Sequence, residues 1–466
     1  MRALINNVIT TDFTPEMAKF CEENLVIDNP DYITKMKLGK WLGNTPSKLR
    51  LYERRGDKLI IPFGCRKHIE DILDYYGGCM DVEYIGDDII TRGYNYHSNI
   101  KLYPYQQKVS DAMVEAGNGI IVMPCGSGKT QTALHCVARL CGKTLWLTHT
   151  QDLLNQSMNR AKQCFDCDKS AYGTITAGKV DISDGITFAT VQTMCKLDLS
   201  QYRKEWDTII VDECQHCCGS PTRVSQFYRV VNSLFALNKF GLTATPKRTD
   251  GLERSMFALL GDTIAEISKE QVADMTCNVH IKTVETNYFP DNDNILNGDG
   301  TINYGCLITN LVENDDRFQV IMKTINSECR HFSMVLANRV AFLQKMQQAY
   351  KGKSVCLSSI NATNKSRQER KKALEMLNSG EIDCIFATYQ LAAEGLDCPN
   401  LRYVVFTTPE KNERTVTQAV GRVARKADGK DYGTVIDFID GFGMYRNWAK
   451  SRNSIYKKLG CTFENS

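Results

Sequence analysis

The chain has 466 residues, which exceeds one ordinary core and calls for two or three domains. With 24% charged and 42% hydrophobic residues it reads as a globular protein, and a net charge of +3 means that a polyanion must be met by a local basic patch. Nineteen cysteines lie behind an N-terminus, MRALINNVIT, without a signal-peptide apolar core, which argues for free thiols in the cytoplasm, a host's cytoplasm if a phage or virus encodes the chain. No apolar run approaches the roughly 18 residues that span a bilayer, so a membrane role is set aside.

Residues 1–100 show no single rhythm and are expected to form a small α+β domain. Within them, 35–67 hold ten Lys/Arg against Glu53 and Asp57, with Trp41 and Tyr52 interleaved. Lys40, Trp41, Arg54 and Arg55 suit phosphate contact and base stacking, and they suit a plain soluble β-rich surface equally well.

From residue 119 short apolar runs alternate with helical stretches: GIIVM, TLWLTH, GITFAT, DTIIVDE and FGLTAT. Continuous apolar strands between helices predict a parallel sheet covered on both faces. The rhythm lapses over 276–310, where FPDNDNILNGDGTINYG is polar and loop-like. It resumes with FSMVLAN, SVCLSS, DCIFAT, YVVFTT and GTVIDFID, so two α/β lobes joined by a linker are expected. At the end, Met444, Trp448, Ile455 and Leu459 share one face of a predicted helix and Arg446, Lys450 and Lys457 the other, a docked helix with either a functional or a merely solvated basic side.

Chemistry concentrates first at PCGSGKT, between a buried strand and a helix. Gly126 and Gly128 let backbone N–H groups converge on phosphate, Lys129 reaches the β/γ-phosphates and Thr130 binds Mg²⁺. The strict pattern would have glycine where this chain has Met123, and a plain glycine-rich turn would carry similar letters, though not between strand and helix. DTIIVDE delivers Asp212 and Glu213 to the carboxyl edge of the same sheet, where Asp212 can share the Mg²⁺ and Glu213 can orient or deprotonate the attacking water.

The following letters, CQHCC, also permit zinc, because Cys214 and Cys217 repeat the spacing of Cys164 and Cys167. Cys164 and Cys167 close a helix that must run back from the carboxyl edge, whereas Cys214 and Cys217 lie at it. One strand of five or six residues puts roughly 17–20 Å between those edges, and zinc needs each sulfur at about 2.3 Å. No zinc is expected.

In order, YPYQ, MPCGSGKT, VDECQH, GLTATPKRTDG, ATYQLAAEGLDCPN and QAVGRVARK resemble the motifs of superfamily 2 helicases, most closely the XPB and phage UvsW-type branch-migration group, over about residues 101–440. The resemblance implies an α/β fold of two RecA-like parallel-sheet lobes in tandem behind a small N-terminal α+β accessory domain. The expected boundaries are 1–100 for the accessory domain, 101–275 for the ATP-binding lobe, 276–310 for the linker and 311–466 for the second lobe with its C-terminal helix.

Tyr105, Gln106, Pro124, Cys125, Gly126, Ser127, Gly128, Lys129, Thr130, Gly395 and Asp397 are then expected to bind ATP. Gln215, Thr243 and Thr245 would couple hydrolysis to movement. Gln418, Arg422 and Arg425, spaced to share one helical face, would join Lys129, Asp212 and Glu213 in catalysis, the arginines as fingers. Thr148, Thr190, Arg248 and Thr388 would join the N-terminal residues on nucleic acid. Two departures stand out: Gln215 where the group carries histidine, and Thr249 where it carries glutamate.

The expectation is an ATP- and Mg²⁺-dependent DNA helicase or translocase, moving 3′ to 5′ on forked or branched DNA in replication, recombination or repair. Its rivals are an RNA helicase or remodeller and the motor subunit of a nucleic-acid-processing complex, which would need a partner's nuclease because this chain shows no nuclease motif.

Overall fold

The computed structural model describes residues 1–82, 94–124, 126–176, 178–217, 225–244, 246, 251–268, 270–290, 295–297, 301–357, 364–393, 398–427 and 429–464. The chain divides into two compact units, Met1–Pro124 with Gly128–Ser268, and Cys125–Ser127 with Lys269–Ser466. Among the described residues no helix is long and apolar enough to cross a membrane.

The first unit is built on an eight-stranded sheet in the order Lys179–Asp181, Tyr172–Thr176, Ile186–Thr190, Thr144–Thr148, Thr208–Asp212, Asn238–Thr243, Asn118–Val122 and Thr263–Glu266. Its pairs are parallel except the outermost, Tyr172–Thr176 with Lys179–Asp181. The strands Thr144–Thr148, Ile186–Thr190 and Thr208–Asp212 are buried at every position, as apolar runs covered on both faces must be. After Asn118–Val122 the chain crosses to Thr144–Thr148, builds outward, and returns to fill the gap with Thr208–Asp212 and Asn238–Thr243. In register, Thr190 faces Thr148, Asp212 faces Leu242 and Thr243 faces Val122, so one carboxyl edge collects these residues.

A second sheet in this unit runs Glu53–Arg55, Lys58–Pro62, Val8–Asp12, Arg2–Ile5 and Cys79–Val82. It was expected to be a separate domain, yet its core is shared. Ile5, Ile9, Leu59, Ile61, Ile69 and Leu73 form one cluster with Phe235, Leu252 and Ala258 of the parallel-sheet region. Gly64 allows the approach, since a Cβ there would lie 2.4 Å from Gly261 N and 2.5 Å from Phe257 O.

Lys239 is fully buried at this junction. Its Nζ donates to Val231 O at 3.1 Å and Leu234 O at 2.8 Å, which end the helix Gln226–Ser233, and lies 4.5 Å from the Phe63 ring centre. Burial pulls this amine down to about 7 from 10.5. Lys239→Ala is expected to cost about 3 kcal/mol, from two orphaned carbonyls and a cavity. The sign of the pH effect follows from the lowered value: the unfolded chain holds this proton more tightly, so between about 7 and 10.5 rising pH favours the folded wild type. The deficit of the variant should therefore widen between pH 7 and pH 9, by at most about 1.4 kcal/mol per unit, which urea titrations at both values would read.

The second unit carries a wholly parallel seven-stranded sheet in the order Ser354–Leu357, Cys384–Thr388, Ser333–Ala337, Tyr403–Phe406, Tyr432–Ile439, Asn278–Glu285 and Thr462–Phe463. Asn278–Glu285 corrects the sequence reading, which placed it in the 276–310 linker. Its alternating residues bury Val279 and Ile281 and leave polar neighbours outward, so it lacks the continuous apolar run of the other strands. The C-terminal helix Gly443–Lys458 buries Tyr445, Ala449, Arg452, Ile455 and Tyr456, a face turned from the expected one because Arg452 points inward to Asp437 at 2.8 Å. Arg446, Lys450 and Lys457 are exposed.

Candidate active site

In the first unit, the strand Asn118–Val122 feeds the glycine loop. Met123 continues the ladder, its N–H donating to Thr243 O at 3.0 Å, and its side chain is buried. That accounts for a methionine where the strict pattern has glycine: the position still belongs to the sheet. Gly126 and Gly128 both have φ +83°, a region that favours glycine. At Gly128 a Cβ would lie 2.3 Å from Gln106 Nε2, so a larger residue would have to displace the Gln106 amide. The helix Lys129–Leu140 follows, and Lys129 Nζ donates to Met123 O at 3.2 Å.

Gln106 is only 3% exposed, and its Oε1 accepts from Tyr103 N at 3.1 Å, capping the helix Pro104–Ala116. It thus braces the loop against that helix. Tyr105 stacks on Tyr103, with ring centres 6.0 Å apart and planes 7° from parallel; Tyr103 was not foreseen. Ser127 is buried, while Pro124 and Thr130 are half-buried.

Asp212 ends its strand 7% exposed. Burial and the neighbouring Glu213 push its carboxyl up to about 7, against the pull of the Lys129 charge, the Glu213 N–H at 3.1 Å and the Ser157 hydroxyl at 3.4 Å. Ser157 comes from the helix Gln151–Cys164 and carried no sequence signal. Glu213 is left-handed, φ 56° and ψ 51°, an uncommon conformation for a residue with a Cβ and one that occurs at functional turns. Gln215 Nε2 donates to Glu213 Oε2 at 2.5 Å, and Gln215 Oε1 accepts from Thr243 Oγ1 at 2.7 Å. A continuous relay Glu213–Gln215–Thr243 therefore joins two strand ends.

Cys214 and Cys217 sit in the hydrophobic core, Cys214 Sγ lies 3.6 Å from Met256 Sδ, and burial pushes the Cys214 thiol well up. Among the described residues no group of three or more His, Cys, Asp or Glu is placed to hold a metal. His216, beside them, packs its ring 4.3 Å from that of His149 and 6.2 Å from that of Phe227.

The threonines are inward-facing. Thr148 donates to Thr150 O at 3.0 Å, and the Thr190 and Thr193 hydroxyls lie 2.9 Å apart. In the second unit Thr388 Oγ1 accepts from Leu391 N at 3.4 Å. There, Gln418 and Arg422 lie on the helix Glu413–Val423, but Arg425 lies beyond its end, in an antiparallel bridge with Thr276. The expected single face of three residues is thus corrected. Cys277 N donates to Ala424 O at 2.9 Å, so the 276–277 backbone captures the chain where the helix would have continued. Cys125, Thr245, Arg248, Gly395 and Asp397 lie outside the described residues, as do Cys218 and Thr249.

In the loop that follows the helix Pro30–Lys37, Trp41 is 88% exposed and Lys40 is exposed beside it. Arg54 lies 3.7 Å over the Phe13 ring, and Arg55 pairs with Glu53. Lys48, Arg50, Lys58 and Arg66 also meet carboxylates, on Asp28, Glu22, Asp12 and Glu70. The patch is therefore less basic than its letters.

Residues 99–248 match the family model described as type III restriction enzyme, res subunit, and residues 316–427 match the helicase conserved C-terminal domain. A putative ATP-dependent RNA helicase of Acanthamoeba polyphaga mimivirus is 25% identical over 406 residues, 83% of this chain and 74% of that protein. The DNA 3′-5′ translocase XPB2 of Sulfurisphaera tokodaii is 26% identical over 365 residues, 71% of this chain and 80% of that one. Among solved structures, the ATP-dependent type ISP restriction-modification enzyme LlaBIII bound to DNA superposes with a TM-score of 0.54 at 18% identity, over 78% of this chain and 30% of that one.

Proposed function

This chain is a superfamily 2 helicase, a nucleic-acid-dependent ATPase of tandem RecA-like build, and on that premise we propose that it is a 3′ to 5′ DNA translocase acting on forked or branched DNA in replication, recombination or repair. The observation that carries this reading is the shared core, which fixes the small N-terminal sheet, and the loop region bearing exposed Lys40 and Trp41, to the unit holding Lys129, Asp212 and Glu213. A motor whose first lobe carries a rigid accessory module suits a junction, where duplex and unpaired strand are gripped together. The archaeal relative named a DNA 3′-5′ translocase supports the polarity and the sugar. The viral relative named an RNA helicase supports the rival reading. A cytoplasmic location is proposed with it, on composition.

In the mechanism, Lys129 and the backbone of Gly126–Gly128 hold phosphates, Tyr105 and Gln106 border the base, and Glu213 positions the water. Arg422 and Arg425, with Gln418, stabilise the charge of the transferring phosphoryl group. Thr130 and Asp212 would hold Mg²⁺, since Asp212 is a buried carboxylate whose charge Lys129 only partly offsets; when bound, the ion would neutralise charge on the ATP phosphates. The Glu213–Gln215–Thr243 relay links hydrolysis to movement.

Because a proton and Mg²⁺ compete for Asp212, Mg-nucleotide affinity is expected to fall about tenfold per pH unit below about 7, and to change little above it. Nucleotide titrations at limiting Mg²⁺ from pH 5.5 to 8.5 would read this, and a flat profile would remove Asp212 from the ion site. The substrate reading is tested by ATPase and strand-separation assays across single strands, blunt duplex, forks, four-way junctions and RNA of equal length. Forks and junctions are expected to give the fastest strand separation; equal or faster action on RNA would overturn it.

A further inference from the structure

Between the strand Asn278–Glu285 and the helix Asp315–Glu328, the chain folds with the C-terminal helix Gly443–Lys458 around a small core of its own, including Tyr288, Leu307, Leu311 and Tyr445. Tyr445 OH locks it by donating to Leu307 O at 2.8 Å. On its rim Tyr304, the first residue of the helix Tyr304–Glu313, is 56% exposed and lies nearly parallel to Trp448, with ring centres 6.3 Å apart and planes at 15°. An exposed helix start needs no aromatic ring for packing. Lys411 Nζ stands 5.7 Å over the Trp448 ring. Glu410, the adjacent acid, turns its carboxylate onto the N–H groups of Lys411 and Asn412 at 2.8 Å each. Among the described ion pairs none engages Lys411.

We propose that Tyr304, Trp448 and Lys411 form a base-stacking site for an unpaired DNA strand. The site lies outside the helicase motifs and rests on the proposed DNA substrate. Its chemistry is that of single-strand binding: a flat aromatic face accessible to an unpaired base and a cation at the ring. A paired base has both faces covered by its neighbours, so blunt duplex has nothing to offer Tyr304.

The test measures binding of labelled oligodeoxythymidylate, oligouridylate of the same length and a blunt duplex to the full chain and its variants at fixed salt. Tyr304→Ala is expected to weaken oligodeoxythymidylate by roughly five- to a hundred-fold, Tyr304→Phe to stay within about twofold and Lys411→Glu to weaken it. Blunt-duplex affinity and ATPase activity without nucleic acid should hold. A parent that binds DNA beside a Tyr304→Ala variant of unchanged affinity would overturn this site alone. A parent that binds no single-stranded DNA would overturn the proposed substrate and this site together. A loss confined to oligouridylate, or equal on blunt duplex, would also refute the site.

Discussion

Lys129→Ala is expected to lower nucleic-acid-stimulated ATP hydrolysis by at least a hundred- to a thousandfold, the cost of removing one preorganised charge from a transferring phosphoryl group, about 2.7–4 kcal/mol. Phosphate release at saturating ATP and single-stranded DNA would measure it. The fold should survive, because the ammonium is held by one carbonyl, Met123 O, in a loop whose shape is set by Gly126 and Gly128. The same substitution removes the cation that pulls the Asp212 carboxyl down, so that carboxyl should titrate higher still. Retained hydrolysis would show that the glycine loop is not the phosphate site.

The largest expected effect on stability lies in the second unit. Arg317 and Asp440 are both wholly buried, with Nε to Oδ1 at 2.6 Å and Nη2 to Oδ2 at 3.2 Å. Arg317 also donates to Thr407 O at 2.6 Å, and Thr286 Oγ1 donates to Asp440 at 2.5 Å. Arg317→Leu would leave a buried carboxylate without its cation, and a loss of about 3–5 kcal/mol is expected. Adding Asp440→Asn should recover part of it, because the orphaned charge goes with it. Urea unfolding of the single and double variants would decide; additive losses would mean that the pair is not coupled.

Much of the motor was legible in the letters because its signals are local. A strand buried on both faces must be apolar throughout, so GIIVM, TLWLTH and DTIIVDE announced themselves. The glycine loop was readable for the same reason: φ +83° at Gly126 and Gly128 restricts the residue type. What escaped depends on distant partners. Arg317 in NDDRF and Arg452 in KSRNS look like surface charges, and only Asp440 and Asp437 far along the chain make them interior. Asn278–Glu285 alternates because its outer side is polar, and so lacked the run that marked its neighbours. The basic stretch at 35–67 was counted without Glu22, Asp12, Asp28 and Glu70, which lie outside it and neutralise four of its cations. Arg425 was placed on a helix because spacing cannot reveal a competing strand at Thr276.

The cluster that joins Leu59 and Ile61 to Phe235, Leu252 and Ala258 has a practical consequence for dissecting this protein. A chain begun at residue 101 would present those three side chains and the buried end of Lys239 to water. It is therefore expected to aggregate or to be cut by proteases before it reports on DNA. Loss of activity after such a truncation would say little about junctions. Surface changes such as Trp41→Ala and Lys40→Glu, which touch neither cluster nor carbonyl, separate the grip on DNA from the solubility of the motor.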